Sequence, residues 1–207
     1  MKILLINSSS RQQASSTYFL AQALLKRVSM LTPVSVTEEN VTVLPQVDSE
    51  YSISVASTEQ DYDESKGSLA LSNRLIDDLI EADLVIVTSP MHNFSLPSGL
   101  KSWVDHVVRA QKTFAITPTG KRGLLDDKPV YVLISSGGKF SGNDAYQPDF
   151  FTPYMKEVLS TIGINSVSFF AIESTVSSHD VIENNIKLIR QKLLAHLEEN
   201  FIKTKLL

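Results

Sequence analysis

The chain has 207 residues, 43% hydrophobic and 20% charged, with a formal net charge of −4 and a pI of about 5.6. That is enough chain to bury one sizeable core, and residues 1–207 read as a single domain; the acidic balance offers no basic face to nucleic acid or an anionic membrane. Cysteine is absent, which removes disulfides, thiol nucleophiles and iron–sulfur ligation, so redox chemistry would need a bound cofactor.

The first apolar run, Lys2 to Asn7, is too short for a signal-peptide core or a membrane span, and a cytoplasmic location is expected. Four further strands follow: Val34 to Asn40, Leu84 to Thr88, Val130 to Ser135 and Val167 to Ile172. All but the second are nearly continuous in apolar residues, as strands covered on both faces are. The second alternates and is therefore an edge. Helical spacing marks Thr17 to Val28, Leu69 to Ala82, Pro97 to Arg109 with Pro97 in its first turn, Tyr154 to Ile162, and Asp180 to Glu199 followed by a lysine-rich tail. Strands alternating with helices predict an α/β fold, a flavodoxin-like doubly wound five-stranded parallel sheet in the order 2-1-3-4-5 with helices on both faces.

Two stretches exceed that plan. Val43 to Gly67, with Asp48, Glu50, Glu59, Asp61, Asp63 and Glu64, reads as a solvated connection holding a short helix. Gln111 to Lys128 carries Phe114-Ala115-Ile116-Thr117 and then Pro118-Thr119-Gly120, a hairpin-like insertion.

Three loops after strands converge on one rim of the sheet, the place where open α/β sheets bind ligands. No glycine precedes Gly67, so neither a dinucleotide GxGxxG nor a Walker loop follows the first strand. Hydroxyls stand there instead: Ser8, Ser9, Ser10, Ser15, Ser16 and Thr17, the last three opening a helix whose free N–H groups favour an anion. Helix capping explains one of these hydroxyls but not six. The pattern describes a phosphate-monoester site built from neutral donors. The scarcity of cations there, with Arg11 alone, argues against phosphoryl transfer, and no acidic residue follows the first or third strand to make a phosphoacceptor. The second loop, Ser89-Pro90-Met91-His92-Asn93-Phe94, offers backbone N–H groups, an amide and apolar surface. The third, Ser135-Ser136-Gly137-Gly138, lets a planar ligand approach the backbone without a Cβ in the way.

Asn7-Ser8-Ser9 with Ser15-Ser16-Thr17, the stretch Pro90-Met91-x-Asn93-Phe94, Ser135-Ser136-Gly137-Gly138, Thr152-Pro153-Tyr154 and Gly163-Ile164 together resemble the FMN-dependent NADH:azoreductases, also called NADH:quinone oxidoreductases, of bacteria. The resemblance runs over nearly the whole chain. It implies a homodimer that takes a hydride from NADH and passes two electrons to quinones or aromatic azo compounds by a ping-pong mechanism. It also implies that Ser9, Ser15, Ser16 and Thr17 hold the phosphate and ribityl chain of FMN. Pro90, Met91, His92, Asn93 and Phe94, with Ser135, Ser136, Gly137 and Gly138, would line the isoalloxazine. Two departures bear on substrate preference: His92 stands where the family commonly has Tyr, and Thr161 where it often has an aromatic residue.

His92 is the one side chain in these loops suited to proton donation at working pH; the flavin itself is the main redox group. His106, His179 and His196 lack ligand-like spacing, and no metal site is expected. Arg109, Lys112, Lys121 and Arg122 surround the insertion without forming a clear 2′-phosphate cluster, which favours NADH over NADPH. Trp103 and Phe114 are the apolar candidates for a dimer surface, and equally for core. The alternative function is a flavodoxin-like electron carrier, or a flavin-binding interaction module without turnover of its own.

Overall fold

The computed structural model describes residues 1–56 and 66–202. Its strands are β1 (Lys2–Asn7), β2 (Ser35–Asn40), β3 (Leu84–Pro90), β4 (Phe114–Thr117), β5 (Gly120–Gly123), β6 (Val130–Ser135) and β7 (Val167–Ile172). Its helices are α1 (Ser16–Ser29), α2 (Ser49–Ala56), α3 (Gly67–Glu81), α4 (Ser98–Val107), α5 (Thr152–Thr161) and α6 (His179–Leu197). Five strands form one sheet in the order β2-β1-β3-β6-β7, all parallel. This is the expected doubly wound order, with the alternating strand at the edge.

Strand periodicity divides the core in two. Leu4 and Ile6 join Val85, Val87, Val132 and Ile134 beneath α3, α4 and α5. Their neighbours Ile3 and Leu5 join Leu84, Ile86, Tyr131 and Leu133 beneath α1 and α6. The central strands are thus apolar on both sides because both sides carry helices.

The insertion is an antiparallel hairpin of β4 and β5, closed where Thr117 pairs with Gly120, whose φ of +124° suits glycine. Pro97 is the N-cap of α4, outside the helix rather than in its first turn; Pro153 takes that position in α5. Trp103 and Phe114 are buried within the chain, so neither contributes to a dimer surface. Asp48 accepts from the Tyr51 N–H at 2.7 Å at the start of α2, inside the acidic connection. Glu59, Asp61, Asp63 and Glu64, and the tail lysines Lys203 and Lys205, lie outside the described residues. No helix among the described residues is long and apolar enough to cross a membrane.

Candidate functional site

The three loops meet at the carboxyl rim because strand register puts them there. Asn7 is paired with Thr88, Pro90 with Ser135, and Ser135 with Ile172. Cross-strand bonds continue beyond the ladder. The Ser8 N–H and hydroxyl both donate to the Thr88 carbonyl at 2.9 Å, and the Thr88 hydroxyl donates to Asn7 Oδ1 at 3.1 Å. The Met91 N–H donates to the Ser135 carbonyl at 2.8 Å, and Ser136 N–H to that of Ile172 at 2.9 Å.

In the first loop the structure sorts the hydroxyls. Ser8 is committed to Thr88, and Ser10 is exposed in the turn. Ser9, Ser15 and Thr17 are buried and Ser16 half-buried. Ser15 caps α1: its Oγ accepts from the Tyr18 N–H at 3.2 Å and lies 3.3 Å from Thr17 Oγ1. Capping uses an acceptor lone pair and leaves the Ser15 hydroxyl proton to donate elsewhere. With the first-turn N–H groups that no helix can pair internally, this end of α1 is a compact set of neutral donors. Gln12, at φ +49°, fastens the loop: its amide donates to Asn40 Oδ1 at 3.1 Å and Thr42 Oγ1 at 3.0 Å, and accepts from Asn7 at 3.3 Å.

The second loop ends in a tight turn. His92 and Ser95 exchange both backbone hydrogen bonds at 2.9 Å, and the residues between them, Asn93 and Phe94, have φ of +49° and +69°. These are type I′ angles, for which glycine is the usual second residue. A phenylalanine there is strained. The Phe150 N–H holds it by donating to the Phe94 carbonyl at 3.1 Å. His92, Asn93 and Phe94 are all exposed at the rim, whereas Met91 is half-buried beneath them. Among the described non-glycine residues with positive φ, Gln12, Asn93, Phe94 and Ser174 lie in loops after β1, β3 and β7, and Gln111 before the hairpin. Strain gathers at the rim, as it does where a backbone is shaped for a ligand.

The third loop differs in one respect from the sequence expectation. The room beside Gly138 is filled: a Cβ there would lie 2.3 Å from Gln147 Oε1 and 3.0 Å from the Tyr146 hydroxyl oxygen. Gly137 is less confined, its nearest neighbour being Val176 Cγ1 at 3.3 Å. Gln147 and Tyr146 come from a loop that no sequence pattern marks.

Arg109, one of the cations grouped around the insertion, is buried and donates to Asn73 Oδ1 at 2.8 Å. It is therefore structural rather than placed for a 2′-phosphate, while Lys121 sits over the Phe114 ring at 5.0 Å. A cleft of about 620 Å³ opens among α4, α5 and the hairpin, but none of its lining residues belongs to the three loops. Among the described residues no group of three or more His, Asp or Glu is placed to hold a metal. Ser168 Oγ and His196 Nε2 lie 2.8 Å apart at the opposite end of the sheet. Asn200 Nδ2 lies 3.1 Å from both His196 Nδ1 and the His196 carbonyl oxygen.

A doubly wound parallel sheet with neutral anion donors at its first helix defines a protein of the flavodoxin class. The family model for a flavodoxin-like fold matches residues 1–197. FMN-dependent NADH:quinone oxidoreductase 2 of Pseudomonas fluorescens (strain Pf0-1) is 37% identical over 196 residues, 93% of this chain and 97% of that protein. FMN-dependent NADH:quinone oxidoreductase 5 of Burkholderia lata is 43% identical over 140 residues, 68% of this chain and 67% of that one. The chain belongs to this family of quinone oxidoreductases. An FMN-dependent NADH-azoreductase from Bacillus anthracis, solved in complex with FMN, shares the fold with a TM-score of 0.79 at 22% identity, over 94% of this chain and 99% of that one.

Proposed function

We propose that this chain is an FMN-dependent enzyme that takes a hydride from NADH and delivers two electrons to quinones and aromatic azo compounds by a ping-pong mechanism. The observation that carries the reading is the buried hydroxyl set at the N-terminus of α1, on the carboxyl rim of a sheet whose curated relatives are FMN-dependent. The donor chemistry fits: a phosphate monoester is well served by hydroxyls, backbone N–H groups and a helix dipole without a metal. Ser9, Ser15, Ser16 and Thr17 hold the phosphate and ribityl end. Pro90 to Phe94 and Ser135 to Gly138 border the ring, with Gly137 rather than Gly138 giving the close backbone approach.

Bound FMN supplies the electron chemistry; the protein positions the reactants and shapes the charge around them. The Asn93 and Phe94 N–H groups lie outside the pair of bonds that closes their turn and would be available to hold a bound flavin that carries negative charge. Phe94 gives the rim an apolar surface on which NADH and the acceptor lie in succession. His92, exposed beside it, donates the proton that accompanies reduction of the quinone or azo nitrogen. The enzyme works as a homodimer; the resemblance supports this, and the hairpin offers Ile116 and Leu124, 71% and 43% exposed, as apolar surface. Light scattering on the eluting protein reads that state directly.

The test of the whole reading is a visible spectrum of protein loaded with FMN, followed by anaerobic NADH and then benzoquinone. Bleaching by NADH and recovery with quinone are expected. Flavin that binds without bleaching would leave a carrier, and failure to take up flavin would overturn the site.

A further inference from the structure

A Cβ at Gly138 would meet the end of the Gln147 side chain, 2.3 Å from its Oε1, so the space beside this glycine is taken by a carboxamide. Gln147 Nε2 donates to Ser136 Oγ at 2.9 Å and lies 3.5 Å from Met91 Sδ, while Ser136 Oγ lies 3.9 Å from the same sulfur. One side chain therefore joins the loop after β3 to the loop after β6. Its delivery to that point is built into the backbone. The N–H groups of Tyr146 and Gln147 both reach the Lys139 carbonyl, at 3.1 and 3.3 Å, closing residues 139–147 into a ring. Glu173, just beyond β7, pins the start of that ring by accepting from the Phe140 and Ser141 N–H groups, each at 2.9 Å.

We propose that Gln147 is a positioning residue for the isoalloxazine: its carboxamide fixes Met91 and Ser136 relative to one another, so that the second and third loops present a single edge to the ring. The assignment rests on the flavin site proposed above. A half-buried amide with its nitrogen engaged on two loops and its oxygen against a glycine has few alternative rotamers, so it transmits the placement of one loop to the other. The Met91 thioether is otherwise flexible, and the contacts of Ser136 and Gln147 hold it. The absence of a Cβ at Gly138 leaves the carboxamide the place it occupies.

The experiment is a fluorescence titration of FMN, and in parallel of riboflavin, into wild-type protein and the variants Gln147→Met and Gln147→Ala, with the melting temperature of each apoprotein. Gln147→Met keeps length and bulk but loses the donor. Because the strut acts at the ring and not at the phosphate, both ligands should bind about tenfold more weakly to Gln147→Met, an effect of the size of one lost polar contact, with the ratio of the two dissociation constants unchanged. The visible bands of bound FMN should shift as well, a signature that loss of stability alone does not produce. A double-mutant cycle with Ser136→Ala should be non-additive, since both changes remove the same bond. Unchanged affinity, or tighter binding by Gln147→Ala, would overturn the assignment and make Gln147 an occupant that the ring displaces. A wild-type protein that binds neither flavin would instead overturn the site itself, and a loss confined to FMN would place Gln147 at the phosphate end.

Discussion

Ser15 serves two ends at once, and a single substitution separates them. Its Oγ caps α1 through the Tyr18 N–H, and its hydroxyl is proposed as a phosphate donor. Ser15→Ala removes both and costs about 1 kcal/mol of stability, which for a chain of this size lowers the melting temperature by about 2–4 °C. It also weakens FMN by the value of one hydrogen bond to a charged group, about 1.5–3 kcal/mol, or roughly tenfold to a hundredfold in Kd. Ser15→Asp separates the two roles. Aspartate caps as well as serine, and its charge gains about 0.3–1 kcal/mol from the helix dipole, so the apoprotein should melt no lower than wild type. The same carboxylate would stand beside the proposed position of the phosphate. One pair of like charges 4 Å apart at an effective dielectric of 20 costs about 4 kcal/mol, so FMN affinity should fall about a thousandfold. Riboflavin, which lacks the phosphate, should bind within a few-fold of wild type. The assays are flavin fluorescence titration and thermal unfolding of the apoprotein. A folded Ser15→Asp protein that binds FMN within tenfold of wild type would refute the placement of the phosphate.

Three further outcomes are expected. Lys128 donates from one buried ammonium to the carbonyls of Leu79, Ile80 and Ala82 at 2.8, 2.9 and 2.8 Å, so Lys128→Met strands the C-terminus of α3; a loss of about 2–3 kcal/mol is expected in urea unfolding. Burial pushes the Tyr131 phenol up to about 12, above its unfolded value of about 10. The stabilisation is whole below pH 10 and is lost as pH rises from about 10 to 12, amounting to about 3 kcal/mol; Tyr131→Phe should flatten that part of a stability–pH curve. His92→Gln should lower turnover by about a hundredfold, the scale of a lost general acid, and change the pH profile of the rate. An unchanged pH profile would dismiss His92 as proton donor and leave it as a packing residue of the turn.

Much of this architecture was legible because its causes are local. Runs such as Ile3-Leu4-Leu5-Ile6 favour a strand covered on both faces, and the alternating residues of Val34 to Thr37 favour an edge. The hairpin was announced by Thr117-Pro118-Thr119-Gly120. What escaped depended on partners distant in sequence. Pattern alone gives no sign that Ser8 spends its hydroxyl on Thr88, that Arg109 is buried against Asn73, or that Gly138 faces Gln147. Phe94 shows the limit most plainly. Its sequence position argues against φ above zero, yet the exchange between His92 and Ser95 and the bond from Phe150 impose it.

These misses share a physical direction, and it bears on how the site works. At the proposed phosphate end, Asn7, Ser8, Thr88 and Gln12 tie the first loop into the strand ladder, so the donors of α1 are set before any ligand arrives and the ordering cost on binding is small. At the proposed ring end, position depends on a strained turn, a thioether and one carboxamide, each held by a residue from another loop. A cofactor anchored by its phosphate needs little affinity from the ring, which frees the ring end to be shaped for the molecules that exchange over it. Substitutions at the α1 end should therefore govern whether FMN is retained, and those at His92 and Phe94 which acceptor it reduces and how fast. A panel of quinones assayed on FMN-saturated variants tests this: at saturation Ser15→Ala should leave the order of acceptor preference intact, whereas Phe94→Ala should reorder it. Reordering by Ser15→Ala would show that the two ends are coupled and that the division of roles is wrong.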